Sequence, residues 1–553
     1  MDIKSLNLQP SDVRFLPIVS AFVKKIGVVE EINRLCPSDR DVSPGHVVMA
    51  LILDTLSGRS PLYRLESSFK DMDLELLLGV DIKPSKLNDD AVGRVLDQVW
   101  EAGTGRLLTA VALRAVKMFS LDTSRVHHDT TSVTVYGDYD LYADTGHAQP
   151  FVITYGFSKD HRLDLKQLVH SLLCVDHGIP IWSKYENGNE SDKIINKNLM
   201  GRIVEKMSEF GQKNPLYIAD SALVTQDNLD LMSDEEKGFC FVTRLPATYG
   251  ECDSAIARAV QAESWDDLGI LAETSSSSSR LTAHYHGFET SVTLHDRAYR
   301  ALVVHSSAHD KRKTKKLERL LSQDLSQMIK VKTEQEKLSY ACIPDAQAAM
   351  LRLDNGKFHK LMGHIEEVHR YGRGRPKVDG SRCLNGISYR IRLEIERMEE
   401  SIEKAEKQAG CFVLLSNVPS ETMDSRGLLE AYKAQDIVER NFGFLKDELI
   451  VNSLFLKSPA RIEALGLVLV LSLMIWRLME RTMRMSLKVQ ETTIIGWEKR
   501  QTSRPTSFMM TTRFHSVIVL RTNDGRFLGN PLDDIQLAYL KALGLSQEIF
   551  TKA

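Results

Sequence analysis

The sequence predicts an α/β protein: a mixed sheet flanked by helices, interrupted by a β-rich and helical insertion, and preceded by a helical N-terminal domain. Three observations predict it. Residues 1 to about 120 carry apolar residues at helical spacing, in segments broken by Gly, Pro and Asn. From Arg125 the texture turns β-branched, and the chain reads strand, strand, strand, helix, strand, helix, strand. A further strand-like run, CFVLLSNV at 411–418, returns after a long stretch of different texture, as a sheet does when an insertion interrupts it.

In the first part, GHVVMALILDTLSG and DDAVGRVLDQVWEAG have the apolar spacing of helices. Such helices in a row suit a helix-turn-helix and a plain bundle equally. RVHHDTTSVTVYG then reads as a strand, followed by strands at Leu168–Val175 and Ile179–Lys184, the last entered through a His-Gly turn. Ser191 is a good N-cap for an amphipathic helix over Asp192–Phe210. LYIADSA is a short buried strand ending at Asp220; a short helix over Gln226–Met232 and the strand FCFVTRL follow. Within 246–410, Arg280–Ser306 reads as two or three antiparallel strands, and Lys311–Lys337 and Ile387–Gln408 as long charged helices. Helices at about 427–447 and 459–485 complete the pattern, and the serines of Ser275–Ser279 mark a loop.

At roughly 100–200 residues per domain, 553 residues suggest three or four domains. The pattern divides them into a helical N-terminal domain (1–120), a core in two parts (121–245 and 411–485), the insertion (246–410) and a C-terminal region (486–553). With 43% hydrophobic and 26% charged residues the chain reads as globular, able to bury large cores. Its formal net charge of −3 is not the footprint of a strongly basic nucleic-acid binder, so any such contact has to come from local patches. Seven scattered cysteines without a CxxC argue against a zinc ribbon or disulfide scaffold and fit a reducing cytoplasm. MDIKSLNLQPSDVRF has no apolar signal core. The longest apolar run, Ala464–Trp476, is shorter than the roughly 20 residues that span a bilayer, and reads as a buried helix with no membrane role.

Three acids stand out. Asp129 lies in the strand VHHDTTSVTVYG, and Asp220 ends the strand LYIADSA. A carboxylate in a run with buried flanks needs compensation, which a metal supplies directly. A cap does so too, and Asp220 precedes Ser221 and Ala222 as a helix cap would. The third acid sits in AYKAQDIVERNFGFLKDELI, read as one helix. There Tyr432, Glu439 and Lys446 are spaced by seven and Gln435 lies four before Glu439, so all four project from one side. A solvated face has the same composition.

Together, HHDTTS, IADSA and Tyr432-x2-Gln435-x3-Glu439-x6-Lys446 resemble the DDE transposases of bacterial insertion sequences, in the branch with a Tyr-x2-Arg-x3-Glu-x6-Lys signature. That branch is the insertion-sequence-four superfamily, and HHDTTSVTVYGDY with VERNFGFLK are most similar to its sixteen-thirty-four group. The resemblance spans roughly Arg125 to Trp476. It implies a ribonuclease-H-like catalytic domain with a β-rich insertion before the last acid. It also implies Asp129, Asp220 and Glu439 as ligands of two Mg²⁺ ions, for which Mn²⁺ substitutes. Its substrate would be double-stranded DNA, at transposon ends and target, paired by a homodimer in the nucleoid. Lys446 would lie near a phosphate and Tyr432 would contact backbone or stack on a base. Gln435 departs from the signature's Arg, and an amide cannot fork onto a phosphate as a guanidinium does. Arg440 is the nearest replacement cation, one helical step and about 100° away from Glu439.

Three segments are locally basic: Ala308–Leu321, His369–Arg382 and Leu471–His515. In RYGRGRPK the Gly and Pro residues exclude a regular helix and leave Arg373, Arg375 and Lys377 on a loop suited to phosphates, or simply to solvent. His127 and His128 lack Cys or His partners at zinc spacing and read as ordinary strand residues. A DNA-binding protein without catalysis, and another metal nuclease of the same fold, are the rival readings.

Overall fold

The structure, a computed structural model, describes residues 8–58, 60, 62–136, 149–157, 162–233, 239–271, 282–307, 310–372, 382–447, 456 and 458–553. The Ser275–Ser279 loop lies outside the described residues. The fold is mixed α/β, and the chain divides into two compact units. The first comprises 1–244, 416–418 and 428–553; the second comprises 245–415 and 419–427.

The first unit opens with strand β1 (Gln9–Ser11), which pairs antiparallel with Val519–Thr522. The expected helices follow, among them Leu16–Lys25, Pro44–Leu56, Asp89–Glu101 and Thr104–Phe119. Their starts are chemically marked. Pro44 takes the first turn behind the Ser43 cap, and the Asn88 side chain accepts from the Ala91 N–H at 2.9 Å. Helix Pro459–Val489 contains the apolar run Ala464–Trp476 and buries nearly all of it. Among the described residues it is the one helix long and apolar enough to cross a membrane, and 83% of its most apolar window is buried inside the protein. It packs against the N-terminal helices. Arg461 forks onto Asp97 with two bonds of 2.7 Å, and Glu463 accepts from Thr104 (2.7 Å) and Trp100 (3.2 Å).

The strands of this unit are β2 (Arg125–Val135), β3 (Lys166–Val175), β4 (Ile179–Glu186), β5 (Leu216–Ile218) and β6 (Phe241–Arg244). They lie in the order β4-β3-β2-β5-β6. The first three form an antiparallel meander, while β5 and β6 run parallel to β2, so the sheet is mixed. His177 and Gly178 fill the two positive-φ positions of the β3–β4 turn (φ 57° and 77°), the backbone a tight hairpin requires. Val135, Phe151, Ile153 and Leu168 pack with Ile462 of the long helix, which covers this part of the sheet.

The second unit contains β7 (Asp266–Ile270), β8 (His284–Leu294), β9 (Arg297–Ser306), β10 (His359–Tyr371), β11 (Leu384–Arg397) and β12 (Cys411–Ser416). Here β12, β9, β8 and β7 are neighbours in that order, and β10 pairs antiparallel with β11. The helix expected over Lys311–Lys337 is present as Asp310–Lys337. The helix expected over Ile387–Gln408 is not: its first half is β11, and only Glu399–Gln408 is helical. The reason is visible in the residues. Tyr389, Ile391, Leu393 and Ile395 alternate with Arg390, Arg392, Glu394 and Glu396, a period of two. Ile391 and Leu393 are buried against Ala346, and Arg392 on the other face pairs with Glu366 of β10 at 2.6 Å.

Candidate active site

The site builds from the register of two parallel strands. His127 of β2 is paired with Ile218 of β5. Asp129 lies two residues beyond the first and Asp220 two residues beyond the second. Side chains two apart share a face, and neighbouring strands are about 4.8 Å apart. The two acids therefore occupy matching positions, although β5 ends at Ile218 and Asp220 continues in extended backbone (φ −71°, ψ 179°). Both are half-buried. Asp129 Oδ1 accepts from the Thr130 N–H at 2.8 Å. Asp220 Oδ1 accepts from the Ala222 N–H at 3.1 Å, and its carbonyl accepts from the Thr243 hydroxyl of β6 at 2.7 Å. Asp220 is thus a cap, as one reading of the sequence had it.

Behind the acids lies the fully buried Tyr217, whose hydroxyl donates to Asn196 Oδ1 at 3.1 Å. Burial pushes its phenol well above the ordinary tyrosine value, and the charges of Asp220 and Asp129 push it in the same direction. Tyr217 therefore stays protonated.

The segment read as one helix at 427–447 is two, Ser425–Lys433 and Asp436–Leu445. At the joint the bonds tighten: Gln435 N–H donates to Tyr432 O and Val438 N–H to Gln435 O. Tyr432 thus lies in the last turn of one helix, Gln435 caps the next, Glu439 is on it, and Lys446 caps its C-terminal end. The second helix lies on β2. Gln435 is buried, and its amide reaches the carbonyl of His128, the residue before Asp129, at 3.5 Å. Glu439 is exposed, with no hydrogen bond or ion pair among the described residues. Burial pushes the Tyr432 phenol up. Arg244 opposes this, while the carboxylates of Asp220, Glu439 and Asp436 add to it. The charges of Asp129 and Asp220 both act on the Tyr217 phenol, and those of Asp220 and Glu439 both act on the Tyr432 phenol.

Asn441 anchors this helix. Its amide donates to Gly178 O at 2.7 Å in the β3–β4 turn, and its Oδ1 accepts from Arg477 at 2.7 Å. A Cβ on Gly178 would collide with Ile437 of the same helix, at a φ that favours glycine. Gly178→Ala is expected to cost about 1–3 kcal/mol, read as a lower midpoint in chemical denaturation.

Of the basic segments, Leu471–His515 lies in the first unit, and much of its charge is consumed internally. Arg477 pairs with Glu480 (2.6 Å) and Arg481 with Asp176 (2.7 Å). Arg484 is pushed down by burial, with Glu480 opposing and Arg504, Arg477 and Arg440 adding to the push, so these guanidiniums cluster. Arg440 and Arg504 are the exposed members, and Lys446 is half-buried. Arg373, Arg375 and Lys377 lie outside the described residues. Among the described residues, neither His127 and His128 nor the three acids Asp129, Asp220 and Glu439 belong to a set of three potential metal ligands with their ligand atoms within 4.8 Å of one another. His128 is held by Asn196 (3.1 Å) and Ser171 (2.8 Å), and burial pushes His127 down to about 4.

Arg244, Asp436 and Asn441 escaped the sequence reading. Asn441 had a signal, a polar residue in the stripe Val438, Phe442 and Leu445. Arg244 had none.

Residues 8–113 match the model of a family described as a domain of unknown function, DUF4277. The match covers the N-terminal helices and ends before β2, so all three acids lie outside it. No curated protein matches the chain.

Proposed function

We propose that the chain is a DDE-type transposase, with a ribonuclease-H-like core that cleaves DNA at the ends of an insertion sequence and joins the freed 3′ ends to target DNA. The observation that carries this reading is the pairing of β2 with β5: Asp129 lies on β2 two residues past the last pair, Asp220 lies two residues past the end of the parallel strand β5, and Glu439 is on a helix lying against β2. The strand order β4-β3-β2-β5-β6, antiparallel on one side of β2 and parallel on the other, supports a ribonuclease-H-like reading of this core.

The donor set is three carboxylates. It offers only hard oxygen ligands, which fits Mg²⁺ and accepts Mn²⁺. Asp129, Asp220 and Glu439 would hold the ions. When bound, the pair activates the attacking oxygen and stabilises the leaving one. The protein's own groups do the rest. Tyr432, kept protonated, offers a hydroxyl hydrogen to a phosphate oxygen. Gln435 ties the Glu439 helix to the strand of Asp129 and acts as a positioning residue, a different task from that of the signature's arginine. Arg440 and Lys446 supply cations for the DNA backbone. In cleavage, water adds to the phosphorus at the transposon end and the 3′-hydroxyl leaves. In joining, that hydroxyl adds to a target phosphorus and the target's own 3′ oxygen leaves. A homodimer would hold the two ends together.

The test is incubation of the purified chain with Mg²⁺ and DNA carrying the element's ends. Cleaved and joined products support the reading. Binding without nicking supports a non-catalytic DNA-binding protein, and nicking without joining supports another metal nuclease. Backbone contact has its own signature. Arg440→Gln should reduce the slope of log affinity against log salt by about 1, equally for any DNA sequence.

A further inference from the structure

We propose that the second unit carries a transition-metal site of the zinc type, built from Asp267, His284 and His286. It is separate from the acids of the first unit and does not depend on the function proposed for them. The sequence order His284-Tyr285-His286 on β8 puts two imidazoles on one face of a strand. Their rings stack with centroids 4.9 Å apart. The third ligand comes from the neighbouring strand, where Asp267 of β7 is paired with His286. A bulge at this point shifts the register between Asp267 and Gly269, the kind of irregularity that re-aims a side chain. Gly269 (φ 69°) donates its N–H to Asp267 Oδ1 at 2.7 Å, which fixes the carboxylate, and His284 Nε2 lies 2.6 Å from the same oxygen.

One ligand atom from each of the three residues lies within 4.8 Å of the others. Zinc bonds of about 2.0–2.1 Å at tetrahedral angles need ligand atoms roughly 3.3 Å apart, so small side-chain rotations suffice. Two imidazoles and one carboxylate select zinc and its neighbours over magnesium, which prefers oxygen alone. Three protein ligands leave a fourth position. His286 also lines a cleft of about 410 Å³ with Trp265, His305 and Lys407, and His305 is the cross-strand partner of His286 on β9. Water would complete the coordination at the fourth position. A bound ion would tie β7 to β8 and hold the bulge.

The test is equilibrium dialysis of the full chain against Zn²⁺ in excess Mg²⁺, which keeps the carboxylates of the first unit occupied. The intact chain and Asp129→Ala should bind the same zinc, while the double variant His284→Ala/His286→Ala should lose one equivalent or bind it at least ten-fold more weakly. Equal binding by the intact chain and the double variant overturns the site. A second measurement needs no variant: zinc should protect His284 and His286 from carbethoxylation by diethyl pyrocarbonate, read by mass spectrometry. Unchanged modification of both histidines with zinc present overturns it equally. Loss of DNA cleavage in Asp129→Ala with zinc binding intact separates this site from the first one.

Discussion

Asp129→Asn is expected to reduce metal-dependent DNA cleavage by at least about 10²–10³-fold, the scale on which electrostatic groups at a transition state act, while end binding stays within a few-fold of the intact chain. The substitution keeps the shape, and the new amide oxygen can still accept from the Thr130 N–H as Asp129 Oδ1 does at 2.8 Å. What disappears is a negative charge between β3 and β5, and with it the strongest oxygen ligand the strand offers. Glu439→Gln should lose cleavage on the same scale. It sits on the surface of its helix, so its replacement should leave the melting temperature unchanged. Cleavage followed on gels, with binding followed by mobility shift, separates the two effects. Full cleavage by either variant would remove its residue from the reaction.

Arg526→Ala is expected to destabilise the first unit by about 3–5 kcal/mol, because it strands a buried charge. Asp73 caps the helix Leu74–Leu78, and its side chain is completely buried. Arg526 donates to both of its oxygens (2.6 and 3.0 Å), the Leu76 N–H adds a bond of 3.0 Å, and Arg521 stands 3.7 Å away. Burial pushes the Asp73 carboxyl up, but Arg526, the Leu76 N–H and Arg521 outweigh it and hold the group below its usual range. A depressed carboxylate stabilises the fold above its unfolded value of about 3.9 and loses that contribution as pH falls through the lower folded value. The stability gap between the intact chain and Arg526→Ala should therefore be full at neutral pH and shrink in acid below pH ~4. Denaturant titrations at neutral and acid pH measure it. A gap of the same size at both would mean that the loss comes from packing of the arginine stem instead of its charge.

Local chemistry was legible wherever one segment carried the whole signal. Ser191 marked a helix start, the His-Gly pair marked the β3–β4 turn, and the apolar run 464–476 marked a core helix. The charge-rich stretch Arg390–Glu396 hid a strand: its density of arginine and glutamate resembles a solvated helix, and only the period of its apolar residues separates the two. The joint after Lys433 was not legible, because Ala434 and Gln435 are good helix formers. The chain tightens where the Gln435 amide is buried against the His128 carbonyl, a tertiary cause that outweighs propensity. Each of the three acids could be picked out singly. Their mutual register could not, because it depends on parallel pairing between segments far apart in the chain. The Asp267, His284 and His286 set was hidden in the same way, since its third member arrives across a bulge.

The most direct test of the proposed active site is anomalous diffraction from crystals of the full chain soaked in Mn²⁺. Two manganese peaks are expected within about 4 Å of each other, bordered by the carboxylates of Asp129, Asp220 and Glu439. Manganese absent from those three carboxylates, or bound with one of them turned away, would contradict it.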